Sequence, residues 1–199
     1  MDILNSQSIT LNLPDADIVY YPNFFPKIEA DLFYESLLSE TPWQQDNITV
    51  YGKVHAQPRL TALFGDGSKT LAYSNITMHP HLWTDRILKI KNSIRTICDA
   101  NFNTVLLNYY RDGRDSNGWH ADNEKYLGQN PVIASVTFGQ ERPFHLKHNS
   151  KENPTQKLIL EHGSVLIMQG ETQHFWKHQI PKTTKVVSPR INLTFRIVL

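Results

Sequence analysis

The sequence predicts an α+β protein in which the C-terminal half forms a β-sandwich or small barrel and two helices pack outside it. Beyond residue 100 the chain consists of short runs rich in β-branched and aromatic residues, such as NTVLLNYY, PVIASVTFG and RINLTFRIVL. Glycine, proline and asparagine separate these runs, as they separate the strands of β-rich domains. Helical periodicity is confined to the N-terminal half.

The bulk composition predicts one globular domain. The chain has 199 residues, of which 40% are hydrophobic and 20% charged, a balance that suits a single substantial core. Because 20 Lys and Arg oppose 19 Asp and Glu, the formal charge is +1. Any nucleic-acid site must therefore be a local patch rather than a property of the whole surface.

The cellular location of the protein is predicted from targeting segments, apolar runs and cysteine content. Neither a signal peptide nor a run of about 18 apolar residues is present, so we expect no secretion and no membrane contact. The single cysteine, Cys98, falls at an apolar helical position and is expected to be buried; it suits a reducing compartment. We expect a bacterial cytoplasmic protein, or a nuclear one if the host is eukaryotic.

Two segments carry helical periodicity. The first helix is predicted over 26–40, and its expected inner face consists of Ile28, Leu32, Phe33 and Leu37. The second is predicted over 81–99, and its expected inner face consists of Trp83, Ile87, Ile90, Ile94 and Ile97. Residues 43–75, between them, indicate strands with turns at 51–52 and 65–67. This aromatic segment suits either an ordinary hairpin or a cover over a cleft.

His120 and Asp122 form an H-x-D pair inside GWHADNEKYLG. On an extended strand, residues two apart point to the same side, so this imidazole and carboxylate would face one space. With one distant histidine they would complete the facial triad of two histidines and a carboxylate that binds Fe(II) and leaves coordination positions open. Alone the pair is a weak signal, because H-x-D also occurs as an ordinary surface pair.

The last strand supplies a stronger signal through its alternation. Its apolar face consists of Ile191, Leu193, Phe195 and Ile197, and its polar face of Arg190, Asn192, Thr194 and Arg196. Asn108 and Tyr110 share a face of the run LLNYY. Two guanidinium groups, an amide and a phenol in one barrel mouth would bind a small dicarboxylate, because guanidinium pairs with carboxylate through two hydrogen bonds. Together with a metal, such a pocket indicates a 2-oxoglutarate-dependent oxygenase.

The third metal ligand is left open by the residues alone. The downstream candidates are His145, His148, His162, His174 and His178. A ligand should lie shortly before the arginine strand, which leaves His174 and His178, and position favours the second only slightly.

With these motifs in place, the chain resembles the AlkB family of Fe(II)/2-oxoglutarate nucleic-acid dealkylases, nearest the branch of the animal homologues that act on alkylated DNA and RNA. The resemblance runs from DIVYYPNFF at 17–25 to the C-terminus, through QPRLTALFGD, LLNYYRDGRDSNGWHADNEKYLG, PVIASVTFGQERPFHLKH, HGSVLIMQGETQHFWKH and PRINLTFR. The ordered series N-x-Y, H-x-D, IAS, HG and R-x-N-x-T-x-R is highly specific.

The resemblance implies a fold for the whole chain. It implies one domain, 1–199, with a double-stranded β-helix (jelly-roll) core over 101–199. The N-terminal helices would pack on one sheet, and residues 43–75 would form a β-hairpin lid that recognises the nucleotide.

The resemblance also implies roles for individual residues. The iron ligands would be His120, Asp122 and His178, with His174 a structural neighbour. The 2-oxoglutarate contacts would be Asn108, Tyr110, Arg190, Asn192, Thr194 and Arg196, with Arg190 on the distal carboxylate and Arg196 near the iron. The substrate contacts would be Tyr51, Arg59, Tyr73 and Glu124.

The activity that the resemblance implies is oxidative demethylation of bases such as 1-methyladenine and 3-methylcytosine in DNA or RNA. Fe(II) and 2-oxoglutarate would be the cofactors and O2 the co-substrate, with succinate, CO2 and formaldehyde as products. A base reaches an enclosed iron only outside its stack, so single-stranded DNA or RNA is the expected partner, with duplex DNA as a second form. We expect a monomer.

Two departures from the family pattern bear on the substrate. Asn123 stands where many relatives have an acidic residue, which leaves Glu124 as the expected reader of the base. Leu71 stands where some relatives that open duplexes have an aromatic residue.

The cations expected near phosphates are Arg111, Arg114, Lys147, Lys151, Lys177 and Lys182. The competing hypotheses are an oxygenase of the same fold that acts on protein or lipid, and a non-catalytic binding module.

Overall fold

Two antiparallel sheets form the centre of the protein, whose computed structural model describes residues 7–50, 52–67, 71–73, 76–150, 152 and 154–199. The helices are α1 (Lys27–Glu40), α2 (Asp85–Ile94) and the one-turn α3 (Thr172–Phe175), with a 3-10 turn at Lys125–Leu127. The strands are β1 (Ile9–Thr10), β2 (Asp17–Tyr21), β3 (Asn47–Val50), β4 (Lys53–Ala56), β5 (Leu60–Gly65), β6 (Leu71–Tyr73), β7 (Ile76–Met78), β8 (Thr104–Tyr110), β9 (Asn117–His120), β10 (Ile133–Gly139), β11 (Arg142–His148), β12 (Gln156–Leu160), β13 (Ser164–Gln169), β14 (Trp176–Ile180) and β15 (Arg190–Arg196).

The two sheets face each other as a jelly roll. The larger has seven strands in the order β1-β2-β13-β10-β15-β8-β5, and the smaller has four in the order β12-β11-β14-β9. The smaller sheet and strands β8, β10, β13 and β15 of the larger one come from residues beyond 100, whereas β1, β2 and β5 come from the N-terminal half. The α+β fold with a jelly-roll core is thereby confirmed.

The main core lies between the larger sheet and the N-terminal helices. Ile191, Leu193 and Phe195 point into it from β15, so the predicted alternation of the last strand is confirmed. Phe33 of α1 meets Phe138 of β10 with ring centroids 5.6 Å apart. Because helices cover this face of the sheet, the polar face of β15 is turned toward the smaller sheet.

The first helix is found where it was predicted, but its inner face was predicted partly wrongly. Ile28 is 80% exposed and Leu32 is 55% exposed, whereas Ala30, Phe33 and Leu37 are buried. At about 100° per residue, Ile28 and Leu32 lie roughly opposite Ala30 on the helix. Both were assigned inward because they are apolar, although they do not share the angular position of the other two.

The second helix is shorter than predicted. It begins at Asp85, because the Thr84 side chain accepts a hydrogen bond from the Ile87 amide and caps the N-terminus, and it ends at Ile94. Ile87, Ile90 and Ile94 are buried as predicted. Cys98, beyond its end, is also buried as predicted.

The segment predicted as a lid consists of three parts. Strands β3 and β4 form one hairpin, and β6 and β7 form another. Between them, β5 pairs with β8 as the edge strand of the seven-stranded sheet. Its side chains are buried from Thr61 onward, so this part of 43–75 belongs to the core. Among the described residues, no helix combines the length and apolar character needed to cross a membrane.

Candidate active site

A cavity of about 370 Å³ lies between the two sheets. Its walls come from β8 and β15 on one side and from β9 and β14 on the other. The polar face of β15 lines it, because the apolar face of that strand packs against the helices. Asn108 and Tyr110 line it from β8, so the structure brings together every residue that the alternation predicted for a dicarboxylate site.

Two histidines and an aspartate meet at one side of this cavity. His120 on β9 is the cross-strand partner of His178 on β14, and their ring centroids are 4.2 Å apart. Nε2 of His178 lies 3.6 Å from Oδ2 of Asp122. One ligand atom from each of the three residues lies within 4.8 Å of the others, which is the spacing of ligands around a single ion.

Burial and neighbouring charges together set the protonation of these three side chains. It lowers the pKa of His178 to about 3 and lowers that of His120 as well, so both imidazoles are neutral at neutral pH. Burial alone would raise the pKa of the Asp122 carboxyl, but the Arg196 guanidinium and the two histidines outweigh it and hold that pKa well below its usual range. Neutral imidazoles beside an ionised carboxylate are the protonation states that a divalent metal requires.

Asp122 is held by two further groups, one on its carboxylate and one on its backbone amide. Nη2 of Arg196 donates to its Oδ1 at 2.5 Å. The backbone amide of Asp122 donates to Oε1 of Gln173 at 2.9 Å, and the Gln173 amide lies 3.6 Å from the sulfur of Met168. The sequence did not indicate Gln173, because no motif separates this glutamine from other polar residues of QHFWKH.

The far end of the cavity carries buried donors. Nη2 of Arg190 donates to the Thr137 hydroxyl at 2.8 Å, while its Nε and Nη1 have no hydrogen-bond partner among the described residues. Burial lowers the pKa of this guanidinium to about 10, so it remains charged. Nδ2 of Asn192 donates to the Ser135 hydroxyl, and the Thr194 hydroxyl donates to Oδ1 of Asn192. Ser135 and Thr137 belong to the run IASVT at 133–137, for which the sequence predicted no role.

Arg59 lies in the wall of the cavity rather than on the surface of a lid. It is 7% exposed, its Nε donates to Oδ1 of Asn108 at 2.7 Å and its Nη1 donates to the Ser116 carbonyl at 3.1 Å. The Asn108 oxygen is thus turned toward Arg59. Arg59 therefore fixes the orientation of an amide that lines the cavity.

The remaining predicted residues lie in different places. Glu124 lines the cavity, and Asn123 beside it is exposed. His174 is in α3 and contacts Asn130 at 2.8 Å, away from the histidine pair. Tyr51 lies outside the described residues, and Tyr73 and Leu71 lie on β6, whose side chains are not described.

The chemistry of the cavity fits Fe(II) and 2-oxoglutarate. His120, Asp122 and His178 provide the nitrogen and oxygen donors of a facial triad. The unpartnered donors of Arg190 and the buried Nε of Arg196 would otherwise leave polar groups unsatisfied in a dry site, which costs stability. A small dicarboxylate would satisfy them.

Comparison with known proteins agrees with this chemistry. The model of the 2OG-Fe(II) oxygenase superfamily matches residues 17–196, a range that contains the smaller sheet, every strand of the larger sheet except β1, and all three clustered side chains. The chain belongs to this superfamily, in its AlkB family. Fe(II) and 2-oxoglutarate are the cofactors that membership implies, as the sequence predicted.

The relatives give the scale of the similarity. Mouse alpha-ketoglutarate-dependent dioxygenase alkB homolog 3 is 40% identical over 190 residues, which are 91% of this chain and 66% of the relative. Human DNA oxidative demethylase ALKBH2 is 36% identical over 189 residues, 90% of this chain and 72% of the relative. The AlkB-family chain thus spans slightly under two thirds of the alkB homolog 3 proteins. The solved structure of OsALKBH1 shares the fold, with a TM-score of 0.63 over 94% of this chain and 99% of that one at 16% identity.

Proposed function

We propose that this AlkB-family protein removes methyl groups from ring nitrogens of alkylated bases, such as 1-methyladenine and 3-methylcytosine. The observation that carries the proposal is the meeting of His120, Asp122 and His178 beside a cavity with buried guanidinium donors. The names of the mouse and human relatives, a dioxygenase and a DNA oxidative demethylase, support the same chemistry.

His120, Asp122 and His178 would hold the metal, and the arginine end of the cavity would hold the co-substrate. We assign the distal carboxylate of 2-oxoglutarate to Arg190, since this guanidinium has two unpartnered nitrogens. Arg196 lies next to Asp122 and is assigned to the end near the metal. The same wall contains Asn108, Tyr110, Asn192 and Thr194.

When bound, Fe(II), 2-oxoglutarate and O2 supply the hydroxylation of a methyl C–H bond, with succinate and CO2 formed and formaldehyde released from the hydroxymethyl product. The protein orients the methyl group and keeps water away from it. The buried triad and the small cavity serve both purposes.

The mouth of the cavity would read the base. Glu124 lines it, and a carboxylate there accepts from the exocyclic amine that adenine and cytosine carry. Ile48 reaches the same cavity from β3, and the imidazole of His120 presents a flat ring. The stacking role of Tyr51 and Tyr73 stays a prediction of the sequence.

The substrate would be single-stranded DNA or RNA first and duplex DNA second, because the base must leave its stack. The protein would act as a monomer, since one chain supplies both walls of the cavity. Cys98, buried and unpaired, suits a reducing compartment, which would be the cytoplasm of a bacterium or the nucleus of a eukaryote.

The proposal is tested with a single-stranded oligonucleotide that contains one 1-methyladenine or 3-methylcytosine, incubated with protein, Fe(II), 2-oxoglutarate and ascorbate. Mass spectrometry should show the loss of one CH2 equivalent per lesion, and His120→Ala should abolish it. Succinate production without any loss from either lesion would reject these substrates and favour an oxygenase that acts on protein or lipid.

A further inference from the structure

The four-stranded sheet has an unusual charge distribution. None of the 19 Asp and Glu of the chain lies on β9, β11, β12 or β14. The sheet's exposed lysines are Lys147, Lys157 and Lys177. A chain with a formal charge of +1 therefore has one sheet whose strands carry cations and no anions.

The exposed and half-buried polar side chains of this sheet form two adjacent rows on its outer surface, beside the exposed Ile159. His145 is the cross-strand partner of both Gln179 and Lys157, and its ring centroid is 6.5 Å from that of Trp119. Lys147 and Lys177 are cross-strand partners in the next row. We name this surface the Trp119 face; it consists of Trp119, Gln179, His145, Lys157, Lys147 and Lys177.

Two features of the Trp119 face oppose stability and so indicate a partner. Lys147 and Lys177 stand directly opposite each other, and like charges in that relation destabilise a sheet. Trp119 is 40% exposed although it is a large aromatic residue, a type that is more often packed in the interior or in an interface. A polyanion would neutralise the lysines, and a flat aromatic ligand would cover the tryptophan.

The position of Trp119 relates this face to the cavity. Trp119 and His120 are consecutive on β9, so their side chains point to opposite sides of the sheet. Strand β9 is the edge of the four-stranded sheet. A single nucleic-acid strand that passed around this edge would place one nucleotide in the cavity and the neighbouring nucleotides on the Trp119 face.

The earlier prediction of a phosphate-binding rim changes accordingly. Arg111 pairs with Asp115 at 2.8 Å and Arg114 with Asp112 at 2.6 Å, so neither is a free cation. Lys151 is outside the described residues. Lys147, Lys177 and Lys182 remain. Lys182 lies beyond the end of β14, whereas Lys147 and Lys177 lie on the Trp119 face, where Lys157 joins them.

We propose that the Trp119 face binds single-stranded nucleic acid, with a base stacked on Trp119 and phosphates on the three lysines. It rests on the proposed function only in that the same strand would deliver its methylated base to the cavity. Aromatic stacking combined with lysines along a groove is the usual chemistry for holding an unpaired strand. An acidic protein would satisfy the lysines without needing the tryptophan.

The test measures affinity for an unmethylated, dye-labelled oligothymidylate of about 15 nucleotides by fluorescence anisotropy at several salt concentrations. We expect Trp119→Ala to weaken binding by about 5- to 100-fold, the range for loss of one stacked base. Lys147→Gln and Lys177→Gln should each lower the slope of log affinity against log salt by about 0.7. Lys27→Gln, at an exposed lysine of α1 that pairs with Asp31, is the control for loss of a lysine outside the Trp119 face and should change neither quantity.

A stability measurement separates a binding role from a structural one. Lys177→Glu places an opposite charge across from Lys147, so the melting temperature should rise while affinity for the oligonucleotide falls. If the lysines were only structural, affinity would not fall. Unchanged affinity and salt slope in all four variants would overturn the proposal, as would a loss confined to the lysine variants, since that result indicates a generic polyanion site.

The two proposals fail separately. Binding of an unmethylated strand requires no demethylation, so the Trp119 face can be supported even if methylated bases are not turned over. Normal demethylation by a Trp119→Ala variant with unchanged affinity would reject the face alone.

Discussion

Oδ1 of Asp122 lies 2.5 Å from Nη2 of Arg196, so the carboxylate that faces two histidines is already neutralised by a guanidinium. Both side chains are nearly inaccessible to solvent. The pair explains how a carboxylate stays ionised in a buried site without a metal. It also links the metal side of the cavity to the co-substrate side.

Arg196→Met should destabilise the metal-free protein strongly. Removing one partner of a buried ion pair leaves an uncompensated charge and costs about 3–5 kcal/mol. A divalent cation should restore part of the loss, because it replaces the guanidinium beside Asp122. Urea unfolding with and without Mn(II) measures both effects. Arg114→Met removes an exposed pair and should have little effect; equal losses in the two variants would contradict the prediction.

The metal-free protein should lose stability as the pH falls below about 6.5. Burial lowers the pKa of His178 to about 3, so the unfolded state binds a proton that the folded state rejects between those values. Each such histidine costs about 1.4 kcal/mol per pH unit in that window. His178→Gln should therefore flatten the profile measured by urea unfolding at pH 7 and pH 5. His55→Gln changes an exposed residue of β4 and should keep the original profile; a His178→Gln profile as steep as the original would refute the assignment.

Gln173→Ala should weaken metal binding although it removes none of the three proposed metal ligands. Its Oε1 accepts from the backbone amide of Asp122, and loss of such a supporting contact typically costs about 10–100-fold in metal affinity. Titration with Co(II) or Mn(II) measures the change directly. Gln156→Ala, at a half-buried position on β12, is the control. Equal affinities in the two variants would mean that Asp122 needs no support from Gln173.

Arg59→Met should raise the KM for 2-oxoglutarate rather than the KM for nucleic acid. The Arg59 guanidinium holds the Asn108 amide in the wall of the cavity. Its loss should raise the KM for 2-oxoglutarate about 10-fold, which corresponds to about 1.4 kcal/mol, near the contribution of one hydrogen bond. Arg190→Met should raise the same KM further, because it removes a charged contact. A rise only in the KM for the oligonucleotide would instead restore the original hypothesis that Arg59 contacts the substrate strand.

Local patterns predicted which side chains of β8 and β15 face the cavity, because that depends on strand geometry. The period of two along β15 places Arg190 and Arg196 on one face and Ile191 and Phe195 on the other. The same rule places Asn108 with Tyr110. A local rule failed on α1, where Ile28 was assigned inward for being apolar without regard to its angle around the helix.

The sequence by itself determined a β-rich C-terminal half with helices before it, the polar face of the last strand and the H-x-D pair, since alternation and motif spacing are properties of consecutive residues. The jelly-roll arrangement followed from the family resemblance. Only the tertiary structure decided that His178 rather than His174 faces His120, that Arg59 is buried against Asn108, that β5 belongs to the main sheet, and that Gln173 supports Asp122. These contacts join residues far apart along the chain. Their formation depends on how strands cross between the two sheets, which no local periodicity specifies.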